Sequence, residues 1–184
     1  MKTLNTYINE TLTCSHSEHI NEWRASSNTV SSIKKKNIQY FVYKLTTTKK
    51  IKIFDRAWPQ FKDYKDKVYV NDEQLEIGEY GYTKKDYEPG TYEVEIKDID
   101  NVTNCKYMFY NCDQLVSVPL FNTSKVKDMW QMFFNCKGVR EIPLFNTKNV
   151  EVMTEMFWDC NSLSEQTKKE WSKVYDFEYN EMKK

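Results

Sequence analysis

The chain has 184 residues, and 27 Lys and Arg side chains balance 27 Asp and Glu, so it carries no formal net charge. No overall field draws it onto nucleic acid or an anionic membrane, and the one basic run, Lys34-Lys35-Lys36, reads as a solvated linker. This length holds one or two small cores.

The first ten residues contain no apolar run of seven, so they are expected to form neither a signal peptide nor a membrane anchor, and the mature chain is expected to begin here. Leu4, Tyr7, Ile8 and Leu12 share one helical face. A segment this short needs a partner surface, which makes it a candidate docking leader. The stretch from Thr13 to Lys36 is rich in Ser, Thr, Asn and charge and reads as a linker, giving a first region of residues 1–36. Within it, Cys14-x-His16-x-x-His19 gathers three metal-capable side chains. No fourth ligand lies nearby, so neither a metal nor a cofactor is expected.

Residues 37–91 read as a small antiparallel β domain. Tyr40 to Leu45 and Lys50 to Phe54 are dense in β-branched and aromatic residues and predict one hairpin across Thr46-Thr47-Thr48-Lys49. Lys67 to Val70 and Gln74 to Ile77, around Asn71-Asp72-Glu73, predict another. Trp58, Phe61, Tyr64, Tyr80, Tyr82 and Tyr87 are expected to fill the core and rim, with the loop from Ile77 to Pro89 as an alternative ligand surface.

The most informative feature follows. Met108, Met132 and Met156 recur at 24 residues, as do Phe109, Phe133 and Phe157, and Cys112, Cys136 and Cys160. Val118-Pro119-Leu120-Phe121-Asn122-Thr123 returns as Ile142-Pro143-Leu144-Phe145-Asn146-Thr147. A period of this length is the signature of a solenoid, whose repeats bury their apolar faces on one another. The stripe Val126, Met129, Met132, Phe133 and Cys136 predicts a brief inward-facing helix, and Ile142 with Leu144 a short strand, imperfectly paired because Pro119 and Pro143 lack an N–H. Counting back places Tyr92 to Ile96 as the first strand of the array, and aligns Asp98, Asn122 and Asn146 as residues that bond nearby backbone at a turn. After Leu163 the pattern gives way to a helix, with Ser162 and Glu165 as a capping box, Glu165 and Lys169 as an ion pair, and Trp171, Val174 and Tyr175 closing the stack. The expected fold class is α+β: a small antiparallel β domain leading into a leucine-rich-repeat-like solenoid with a C-terminal capping helix, residues 92–184.

The pattern M-F-x-x-C-x-x-L-x-x-x-P-x-F-N-T-S-x-V-x-x-M, from Met108 to Met129 and with small changes from Met132 to Met153, resembles the BspA-like leucine-rich repeat. More narrowly, it resembles the Met-Phe variant found in surface proteins and lipoproteins of mycoplasmas, Bacteroidetes and anaerobic Firmicutes. That resemblance implies a binding or surface-display protein without enzymatic activity. The opening Leu4-Asn5-x-Tyr7-Ile8-Asn9-Glu10 is similar to leaders of gut Bacteroidetes proteins and their crAss-like phages, which implies a phage accessory or virion-associated protein.

The residues point the same way on catalysis. Both histidines, His16 and His19, lie in the leader, and no nucleophile elbow, phosphate loop or dinucleotide fingerprint occurs. Cys112, Cys136 and Cys160 read as buried free thiols of a reducing compartment, with Cys105 at the position of Met129 and Met153. Tyr110, Phe134 and Trp158 also recur at 24 and fall opposite the Met-Phe-Cys stripe. With Trp130 they form an expected aromatic ridge for a partner, with Phe121 and Phe145 as second candidates. The expectation is a non-enzymatic interaction protein, cytoplasmic or virion-associated, that presents this face to a protein or glycan, binds no nucleic acid and inserts in no membrane. The alternatives are an exported bacterial adhesin or a carboxylate-based hydrolase.

Overall fold

The computed structural model describes residues 40–176. The leader residues Leu4, Tyr7, Ile8 and Leu12, the Cys14, His16, His19 trio and the lysine run lie outside them.

Alternating side chains make β1 (Tyr40–Leu45) a half-buried strand: Phe41, Tyr43 and Leu45 point into the core while Tyr40 and Lys44 face out. It pairs antiparallel with β4 (Gly90–Ile96), which contributes Val94 and Ile96 to the same core. On its other side β1 meets β5 (Leu115–Ser117), with a register shift between Val42 and Tyr43. β4 also pairs with β2 (Val68–Val70), and β2 with β3 (Glu73–Gln74), so the sheet runs β3-β2-β4-β1-β5. The β2–β3 hairpin turns on Asn71 and Asp72, at φ of 51° and 63°. Two left-handed central residues make the turn that matches the twist of a hairpin, and Asn and Asp adopt it at low cost.

This architecture corrects the expected fold class. The described residues form an open five-stranded antiparallel sheet with few helices, and no leucine-rich-repeat solenoid of helix-and-strand units. The strand from Tyr92 to Ile96 does not begin a parallel stack, because β1 and β2 take its two edges in antiparallel register. Nor do Tyr40 to Leu45 and Lys50 to Phe54 form a hairpin. Gln114 bridges the second segment, accepting from the Lys52 N–H and donating to the Lys50 carbonyl, while Tyr82 and Thr83 pair with Lys52 and Ile51.

The predicted inward helices are absent for a reason visible in the backbone. Tyr107 and Asn111 stand at φ of 60° and 58°, Gln131 and Asn135 at 52° and 58°, Glu155 and Asp159 at 55° and 60°. A left-handed residue every four positions breaks a right-handed helix. Each segment is instead a run of overlapping four-residue turns: Cys105 accepts from the Met108 N–H, Tyr107 from Tyr110 and Phe109 from Cys112, with the same pattern from Met129 and from Met153. In the first and last of the three turns the left-handed residue is third, as a type II turn requires, and the middle turn begins on one. The freed N–H groups reach the next segment: Cys105, Tyr107, Phe109 and Asn111 donate to the carbonyls of Asp128, Trp130, Met132 and Phe134. The second segment does the same to Val152, Thr154, Met156 and Trp158.

Equivalent side chains therefore superpose. Phe109 stacks on Phe133 at 5.5 Å and Phe133 on Phe157 at 5.8 Å, and Phe41 and Phe54 join the column to the sheet through Phe109. The Cys136 and Cys160 thiols donate to the Phe109 and Phe133 carbonyls at 2.9 Å each. Phe121 and Phe145, second candidates for a binding face, are core residues: Phe121 lies against Phe41 and Phe145, and Phe145 against Trp171. Leu120 faces out in their place. Asn122 and Asn146 each accept from the N–H two residues on, as expected of turn residues.

Gly138 sits where a Cβ would come within 2.5 Å of the Asp113 carbonyl oxygen, so the second segment can pass the first only with glycine there. The last helix, α2 (Glu165–Trp171), follows the four-residue helical turn α1 (Phe61–Tyr64) in the described chain. Its cap is Ser164, which accepts from the Thr167 N–H, rather than Ser162, and Glu165 pairs with Lys168 rather than Lys169. Trp171 and Tyr175 close over Phe157 while Val174 is exposed.

Truncating the central ring of the column, Phe133→Ala, is expected to lower stability by ~3–5 kcal/mol in urea unfolding, because neighbours on both faces cannot collapse into the cavity. Gly138→Ala should cost about 1–3 kcal/mol by the same measurement, as overpacking against backbone. Burial pushes the thiols of Cys105, Cys112 and Cys136 up. Unfolded thiols ionise near pH ~8.5. The unfolded chain therefore loses these protons first, so the thiols' contribution to stability is full below that pH and falls above it. Unfolding midpoints from pH 7 to 10 check the sign, and these three thiols should resist a disulfide reagent until urea is added.

Candidate interaction surface

The turn segments that bury Met, Phe and Cys on one side turn their next residue outward. After Phe109, Phe133 and Phe157 come Tyr110, Phe134 and Trp158, each half-buried. Their rings form a second column: Tyr110 stacks on Phe134 at 4.9 Å and 15°, and Phe134 on Trp158 at 6.2 Å and 2°. The strict 24-residue spacing brings these three together. Trp130 lies outside the column, against Tyr107 at 5.1 Å, and Tyr107 meets Tyr110 edge-on at 5.5 Å. Tyr107 thus belongs to the surface although the periodicity does not mark it, since Gln131 and Glu155 hold the equivalent positions.

The surface is held rigidly from beneath. The Lys52 ammonium, nearly buried, donates to Asp55 Oδ2 at 2.7 Å and to the Tyr110 carbonyl at 2.8 Å, and the Asp55 N–H donates to the Met108 carbonyl. Burial is the largest single influence and works against the charge on Lys52, but the bond to Asp55 together with the nearby Cys112, Asp55 and Tyr82 groups outweighs it and raises its pKa, so Lys52 stays charged at neutral pH. Asp128 Oδ1 accepts from the Trp130 N–H and Asn104 Oδ1 from the Lys106 N–H, two equivalent side-chain turns 24 residues apart. Between the segments Asn135 Nδ2 donates to Asn111 Oδ1 at 2.6 Å, and Gln131 Nε2 to Glu155 Oε2.

Electrostatics distinguish the two ends. Lys106 Nζ lies 4.5 Å from the Trp130 ring centre and 5.3 Å from that of Tyr107. The Tyr107 hydroxyl is pushed above its ordinary pKa by burial first, then by Tyr110 and by the carboxylates of Asp128, Glu155 and Asp55. The indole N–H groups of Trp130 and Trp158 make no hydrogen bond among the described residues, whereas those of the core residues Trp58 and Trp171 donate to the carbonyls of Asn104 and Ile142. Elsewhere, Tyr80 and Tyr82 of the 77–89 loop lie exposed on the rim, Tyr80 under Arg56, and a shallow groove on the outer sheet face is lined by Tyr40, Tyr69, Asp72, Glu93 and Glu95. No group of His, Cys, Asp or Glu able to hold a metal occurs among the described residues, and no described helix is long and apolar enough to cross a membrane.

No curated protein and no solved structure matches the chain. A family model described as "Mycoplasma protein of unknown function, DUF285" matches residues 85–183, which takes in every 24-residue segment and both ring columns. The match covers more than half of the chain, and the protein belongs to this family, whose repeats are of the BspA-like surface type.

Proposed function

We propose that the protein is a non-enzymatic interaction module whose contact face is the half-buried column of Tyr110, Phe134 and Trp158 with Trp130 at its flank, and that its Met-Phe pairs place it in the Met-Phe variant of its family. The observation that carries this reading is the contrast between the two columns. Both arise from one repeat, yet the inner one is sealed and the three rings of the outer one reach the surface, where a fold gains less from them. Contiguous half-exposed aromatics with open indole N–H groups suit a partner that covers the apolar area and accepts the hydrogen bonds.

A protein partner fits better than a glycan. Sugar rings dock on open aromatic faces, and here both faces of Phe134 are taken by its neighbours, so the column offers mainly ring edges. The leader, through the apolar face of Leu4, Tyr7, Ile8 and Leu12, supplies a second attachment, and the resemblance of Leu4 to Glu10 to leaders of gut Bacteroidetes proteins and their phages makes a virion one candidate assembly.

Trp158→Ala should lower stability by only about 1–2 kcal/mol, because it removes a stacked but half-exposed ring, while abolishing partner capture. Thermal melts and pull-downs with full-length wild-type and Trp158→Ala protein, alongside a glycan array, test the reading. Proteins retained by the wild type and lost with the variant, with a silent array, are expected. Equal capture by both proteins, or a stability loss as large as that of Phe133→Ala, overturns it.

A further inference from the structure

We infer that the paired rings of Trp130 and Tyr107 form a cation subsite, and that the partner of the aromatic surface is a basic polypeptide segment which places a Lys or Arg side chain there. The inference rests on the interaction reading above and adds the partner's charge. Its first support is that the subsite already holds a cation of the chain's own. Lys106 Nζ lies over both rings, at 4.5 and 5.3 Å, and has no ion pair or hydrogen bond to a carboxylate among the described residues. An ammonium held by two π faces at a half-exposed site is weakly held. Lys106 can swing into water without leaving a buried charge behind, so an incoming cation replaces it at little cost.

The second support is the charge around the rings. Asp128 is fastened beside Trp130 through its backbone N–H, and Glu155 is steadied by Gln131 from the neighbouring segment. Asp55 adds little to this charge, since the Lys52 ammonium pairs with it at 2.7 Å. Aromatic faces backed by carboxylates attract cations and repel acidic segments, so the surface selects by sign as well as by apolar area. The ring edges along Phe134 and Trp158 then take the apolar side chains between the partner's basic residues.

The test uses the full chain and three eight-residue peptides in which Leu alternates with Lys, Gln or Glu, titrated by calorimetry with the indole N–H signals followed by NMR. The Lys peptide should bind about tenfold tighter than the Gln peptide and shift the Trp130 signal, and the Glu peptide should bind least. Lys106→Gln, which removes the internal competitor, should tighten Lys-peptide binding about threefold; Trp130→Ala should erase the preference for Lys over Gln, and Glu155→Gln should reduce it. A merely structural Lys106 would give the opposite sign or no change. Equal binding of the Lys and Gln peptides to wild-type protein overturns the cation subsite while leaving the interaction reading to the Trp158→Ala comparison, which fails or stands separately.

Discussion

The structure of the repeat region depends on one backbone constraint: each 24-residue segment carries two left-handed residues, four positions apart. At Asn111, Asn135 and Asp159 the residue type tolerates that conformation, while at Tyr107, Gln131 and Glu155 it costs on the order of 1–2 kcal/mol each. What offsets the cost is direction. Each reversal points N–H groups out of the segment and toward the carbonyls of the next, so a conformation unfavourable in isolation is held by a regular set of bonds between segments. Helical segments would have satisfied their own backbone and left nothing to join them.

Everything else follows from that registration. Because equivalent residues superpose, identical side chains meet in columns, and a core of Phe109, Phe133 and Phe157 forms without a helix or a long strand. The thiols fit the same logic: Cys136 and Cys160 each donate a hydrogen bond to a carbonyl of the segment before, and Cys112, with no such segment, donates to the Ile53 carbonyl. The open ends of the column are then covered from outside the repeat, by Phe41 and Phe54 on the sheet side and by Trp171 and Tyr175 on the other. The sheet and the turn segments share one apolar core.

The same registration produces the outer rings. A residue that follows a buried Phe within a turn has to face away from the core, and repetition multiplies one outward ring into a column. Rigidity comes with it, since Lys52 grips the backbone at Tyr110 and asparagine and glutamine side chains link the segments. A surface organised in this way loses little freedom when a partner covers it, which favours binding without rearrangement. The family relationship concerns this region, residues 85–183, and it is here that the proposed contact face lies.

The spacing of Met, Phe and Cys was enough to identify the buried column, because superposition at a fixed interval needs only the count, and the apolar face after Leu163 marked Trp171 and Tyr175 as its cover, though not the exposed Val174. Tertiary structure alone decided the rest. The sequence stripe at Val126, Met129, Met132 and Phe133 is shared by a helix and by overlapping turns, and the difference lies in φ at Gln131 and Asn135, for which the asparagine before each of the first two repeat cysteines was the one local sign. The β2–β3 hairpin was legible around Asn71 and Asp72, but the partners of β1 were not: it chose β4 and β5 over its neighbour in the chain because burying Phe41, Tyr43 and Leu45 against Val94 and the Phe109 column outweighed the short loop to Lys50. Local pattern specifies which side of a segment is apolar, whereas the partner that covers it is set by what the whole chain can bring there.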